Sequence, residues 1–89
     1  MATTQAKVKA LCDAVIPTID HLAARWADEH QYEDFAQYRA QIHQAFTAAG
    51  YPKTITKITA RPFAIEFIID RVTMRIQVGR SKIDVTQVA

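Results

Sequence analysis

Residues 53–88 read KTITKITARPFAIEFIIDRVTMRIQVGRSKIDVTQV, and where this stretch is cut into strands decides the fold. From Phe63 to Val78, 16 residues, apolar side chains alternate with others except at Asp70-Arg71, a run far longer than the usual strand of about 5 to 6 residues. A two-residue turn at Asp70-Arg71 therefore pairs Ile69 with Val72, Phe67 with Met74, Ile65 with Ile76 and Phe63 with Val78 on one face. On the other face it sets Glu66 opposite Arg75. The turn residues are not the favoured Asn-Gly type, so their conformation does not follow from the sequence.

Two further turns extend this hairpin into a meander. Gly79-Arg80 carries glycine at the first central position, as a type II′ turn prefers, and is expected to pair Ile76 with Ile83, Met74 with Val85 and Arg75 with Asp84. Arg61-Pro62 is the weaker signal, because proline lacks a ladder donor and favours a bulge over a clean two-residue loop. If it closes in two residues, Lys57 faces Glu66 and Ile58 faces Ile65. The outer face then carries a row of alternating charge, Lys57, Glu66, Arg75 and Asp84. Cross-strand pairs of opposite charge contribute roughly 0.2 to 1 kcal/mol each, so the row reads as sheet stabilisation. Ile55 and Ile68 are expected side by side on this outer face, a small apolar spot.

The preceding half is helical. Val8, Leu11, Val15, Ile19, Leu22 and Trp26 recur at three and four residues, one stripe of an amphipathic helix. Pro17 falls within it and denies Asp13 a hydrogen bond, so a kink is expected, with the stripe in phase on both sides. Phe35, Tyr38, Ile42, Phe46 and Ala49 form a second stripe, opened by Glu33 and Asp34, with Gly50 as the left-handed residue past its end and Pro52 beyond. The short linker from Asp28 to Tyr32 makes the two helices an antiparallel hairpin. The expected architecture is a single two-layer α+β domain: helices at about 5–29 and 32–49 packed on a four-stranded antiparallel meander, with strands at about 53–60, 63–69, 72–78 and 82–88.

Composition narrows the function. The 89 residues are 49% hydrophobic and 22% charged, the balance of a soluble domain, and no segment approaches the roughly 20 apolar residues that cross a bilayer. The first residues lack the basic-then-apolar form of a signal peptide, and the single Cys12 has no partner for an internal disulfide, so a cytoplasmic protein is expected. Charge is divided between the halves. Residues 1–52 carry four Lys/Arg against six Asp/Glu, a net of −2, whereas residues 53–89 carry seven against three, a net of +4.

No catalytic constellation, phosphate loop or cofactor motif is present. Cys12 lies beside the first apolar stripe next to Asp13, with His21 nine residues away and out of register, the position of a small buried hydrophobe. His21, His30 and His43 have neither the i, i+4 spacing nor the cysteine partners of a metal site. The stretch from Trp26 to Tyr38 gathers acids and aromatics around the helix turn, with Tyr32 the aromatic that the stripes leave over; a solvated turn with one packed aromatic is the simpler reading.

Basic residues remain. Arg61, Arg80 and Lys82 are expected together at one end of the meander as a positive rim without acidic partners, with Arg71 at the opposite end and Lys53 at the start of the first strand. The expected function is a small non-enzymatic binding or inhibitor protein that engages an acidic partner, nucleic acid or a nucleoprotein complex, through these residues. An accessory of mobile elements that blocks host nucleic-acid machinery is one form of it. Aromatics suited to stacking bases are missing from the outer face, which argues against single-strand recognition in the RRM or OB-fold manner. The alternative is a protein–protein adaptor or homodimer that pairs through an edge strand, Lys53 to Ala60 or Lys82 to Val88.

Overall fold

The computed structural model describes residues 3–29, 34–80 and 82–88. Its sheet is built around the hairpin of β2 (Phe63–Ile69) and β3 (Val72–Val78), whose seven cross-strand pairs follow the expected register from Phe63↔Val78 to Ile69↔Val72. Asp70 and Arg71 both take left-handed conformations, φ 51° and 66°. Positive φ at both central residues is the type I′ geometry, whose twist matches that of the flanking strands. An ordinary side chain in this region costs roughly 1 to 2 kcal/mol, and aspartate tolerates it better than arginine. The turn is also tied down from outside, because the Asp70 carboxylate accepts hydrogen bonds from Thr4 Oγ1 at 2.9 Å and from Lys7 Nζ at 3.0 Å.

β1 (Ile55–Ala60) joins β2 through Arg61-Pro62, a clean two-residue turn with a cis peptide bond and Thr59 Oγ1 donating to the Pro62 carbonyl at 2.7 Å. Lys57 faces Glu66 and Ile58 faces Ile65, as expected. The bulge lies at the other end, between Ile55 and Lys57. It turns Ile55 inward, opposite Phe67 and against the core, so Ile55 and Ile68 do not share the outer face; Ile68 stands there at 40% exposure.

β4 (Ile83–Gln87) differs from the expected pairing. It joins β3 through residues 79–82, with Val78 opposite Ile83, Ile76 opposite Val85 and Gln77 opposite Asp84, a slip of two residues from a Gly79-Arg80 turn. Gly79 N–H donates to the Lys82 carbonyl at 2.9 Å, and a Cβ at Gly79 would come within 3.3 Å of that oxygen. Glycine thus serves a close backbone approach here. The four-strand order is β1-β2-β3-β4, an antiparallel meander.

α1 (Thr4–Glu29) runs as one helix through Pro17, which is exposed, as is Asp13, whose carbonyl loses its usual donor. Its stripe of Leu11, Val15, Ile19 and Leu22 is almost fully buried. α2 (Phe35–Ala48) begins at Asp34, whose carboxylate accepts from Ala36 N–H at 3.0 Å, and buries Tyr38, Ile42 and Phe46. It ends in a Schellman motif: Tyr51 N–H donates to the Phe46 carbonyl and Gly50 N–H to that of Thr47, with Gly50 at φ 95°. Both helices lie on the inner face of the sheet, α1 over β2 and α2 over β1. Fully buried Ile65, Phe67 and Ile76 meet the helical stripes there, and Phe46 packs edge-on to Phe67 at 5.4 Å. β4 is the least covered strand, with inward-facing Val85 still 37% exposed. No helix among the described residues is long and apolar enough to cross a membrane.

Two outcomes follow from the central turn. Arg71→Gly removes a left-handed side chain and should raise the thermal midpoint by several degrees, about 1 kcal/mol for a domain of this size, read by calorimetry. Asp70→Asn keeps the turn geometry but weakens the tie to α1. The Lys7 hydrogen bond, then that of Thr4, holds the Asp70 carboxyl below its ordinary range, so its contribution is complete above the unfolded pKa and is lost as pH falls through the lower folded value. The variant should be less stable than the native chain at neutral pH, with the gap closing below about pH 4 in urea titrations.

Candidate functional site

The outer face of the sheet carries one carboxylate, Glu66, between two cations. Glu66 faces Lys57 on one side and sits 3.6 Å from Arg75 on the other. The expected row stops there, because Asp84 stands opposite Gln77 and pairs instead with Lys82 at 3.6 Å along its own strand. That pair is well exposed and contributes at most about 1 kcal/mol. Lys82 therefore does have an acidic partner.

Arg61 and Arg80 are placed together by the meander. The β1–β2 turn and the exit of β3 lie at one end of the sheet, and the C-terminal part of α1 arrives over them. Arg61, Arg80 and Pro62 line a shallow recess with Trp26 and Ala27. Both arginines are exposed, and neither forms an ion pair with a described residue. Asp20 lies nearby, lining a smaller recess with Arg80 and Lys82. Two guanidinium groups from separate turns thus share one concave surface, with a carboxylate at its margin. Arg71 and Lys53 are at the opposite end, beside the Asp70 turn and ahead of β1, and belong to no common surface with Arg61 and Arg80.

The scaffold beneath the recess is aromatic. Trp26 meets Phe35 edge-on at 4.9 Å and Tyr38 at 5.3 Å, and Phe35 meets Phe63 at 5.9 Å, which pins the end of α1 and the start of α2 to the first residue of β2. Trp26 and Asp20 are neighbours of the basic end that sequence reasoning did not supply. Helical spacing puts them on α1, but where α1 crosses the sheet is not written in that spacing. Of the acidic-aromatic stretch, the aromatics Trp26, Phe35 and Tyr38 are packing residues, and Tyr32 and Glu33 lie outside the described residues, as does His30.

Cys12 is buried, and burial, then the negative charge of Asp13, pushes its thiol above the ordinary range, which disfavours the nucleophilic thiolate. His21 and His43 are exposed on different helices. Among the described residues no three His, Cys, Asp or Glu side chains gather as a metal-binding group.

A second concave surface lies between α1 and the open side of the sheet. The first half of α1 and the inner face of β3 and β4 enclose a groove of about 520 Å³, walled by Val8, Cys12 and Ile16 and floored by Val72, Met74 and Val85. It exists because the helices sit over β1 and β2 and leave β4 open on its inner side. No protein-family model matches this chain, and no curated protein or solved structure matches it.

Proposed function

We propose that the protein is a non-enzymatic, cytoplasmic binding protein that engages an anionic partner, nucleic acid or the acidic surface of a nucleoprotein complex, through Arg61 and Arg80. The observation that carries this reading is the pairing of two exposed guanidinium groups over one recess, with no ion-pair partner for either among the described residues. Like charges brought together repel, and an anion between them relieves the repulsion. Guanidinium suits that task, since its planar fork meets phosphate or carboxylate with two hydrogen bonds at once. The surface is set on two turns beside the aromatic cluster of Trp26, Phe35 and Phe63. A small chain presenting such an end acts by occupying its partner's surface, which fits an accessory or inhibitor. Lys82 adds positive field but is partly neutralised by Asp84.

The test is an Arg61→Ala/Arg80→Ala double variant, assayed by fluorescence anisotropy against labelled duplex and single-stranded nucleic acid over a range of salt. Loss of two phosphate contacts should weaken binding at least tenfold and flatten the logarithmic salt slope by about 2. A Lys53→Ala/Arg71→Ala variant, altered at the other end, should bind as the native chain does. Equal affinity of the Arg61→Ala/Arg80→Ala variant and the native chain would overturn the reading.

A further inference from the structure

The two edges of the sheet are unequal. β1 is broken by the bulge at Ile55/Lys57, carries Lys57, and is flanked by Arg39 and His43 of α2. Bulges and edge lysines are the usual means of blocking strand addition. β4 has no bulge and no proline, and four of its five residues are exposed. Its hydrogen-bonding direction can be read from its partners. Val88 N–H donates to the Thr73 carbonyl and Gly79 N–H to that of Lys82, so the residues bonded to β3 are Lys82, Asp84, Thr86 and Val88. Ile83 and Val85, which alternate with them, turn their backbone groups to the open edge; the Val85 side chain lines the groove beside α1, and that of Ile83 lines the recess with Asp20 and Arg80.

From this we infer that β4 pairs with β4 of a second copy about a two-fold axis through Val85, joining two four-stranded sheets into one. An antiparallel pairing about a two-fold axis that uses these outward groups must be centred on one residue of the strand. Centring on Asp84 sets two carboxylates face to face, which is unfavourable. Centring on Val85 spans the whole strand: Val85 meets its symmetry mate, Ile83 faces Gln87 of the second copy and Asp84 faces Thr86, with no like charges opposed. Apolar side chains meet on the inner face, where the two grooves become neighbours. Arg61 and Arg80 form none of these pairings, although Ile83 borders the recess of Arg80, and separate variants read the association and the anionic surface.

Two variants of the full chain test the pairing. Val85→Pro deletes an outward N–H while sparing the ladder to β3, and should shift the protein from dimer to monomer in sedimentation velocity without moving the Arg61/Arg80-dependent affinity for nucleic acid. Cys12→Ala/Val85→Cys removes the thiol that lines the same groove and places a cysteine on the axis, where Cα atoms of a bonded pair lie about 5.5 Å apart, within disulfide reach. Mild oxidation should convert it to a covalent dimer on a non-reducing gel. A native chain that sediments as a monomer at every concentration, a dimer that survives Val85→Pro, or a Cys12→Ala/Val85→Cys variant that does not cross-link would each overturn the inference.

Discussion

The β2–β3 hairpin closes on two residues held in the left-handed region, and the other elements are positioned from it. Closing in two residues sets the register of seven cross-strand pairs and so puts Ile65, Phe67 and Ile76 on one fully buried face. The same turn presents Asp70 to Thr4 and Lys7, which brings the start of α1 to that end of the sheet and its C-terminal part to the other. The aromatic contacts of Trp26, Phe35 and Phe63 secure the far end. A long helix tied at both ends over one hairpin is what gives the basic turns their neighbours and leaves β4 without cover.

How much of this was legible in the sequence depends on what a period of two can encode. Alternation separates the inner from the outer face, and a slip of one residue at Asp70-Arg71 would have exposed the core, so that register is strongly specified. A slip of two preserves both faces. Val78 opposite Ile83 matches apolar to apolar as well as Ile76 opposite Ile83 does, so the pattern does not choose between them at β4, and the glycine at Gly79 serves a longer connection than the two-residue turn its position suggests. The bulge at Ile55 escaped for a similar reason, since one extra residue in β1 changes the inside and outside of a single short segment. Helix ends were clearer, because Gly50 and Pro52 mark the exit of α2 by backbone chemistry that few other residues satisfy.

Of the candidate surface, the basic turns were readable and their surroundings were not. Turns at Arg61 and after Val78 fall at one end of any meander, whatever the register of β4. The crossing of α1 that adds Trp26 and Asp20 depends on side-chain packing between layers, which helical periodicity leaves undetermined. On the face one carboxylate, Glu66, lies between Lys57 and Arg75 and pairs with Arg75, and at the Arg61/Arg80 end neither arginine forms an ion pair with a described residue.

The bulge in β1 has a consequence for valence. A sheet with two regular edges can add strands on both sides and grow without limit, as fibres do. With one edge interrupted, strand addition at β4 uses up the single regular acceptor, and whatever pairs there ends the series. A chain this small and this open on one side can therefore expose a pairing edge and still form only closed, countable assemblies.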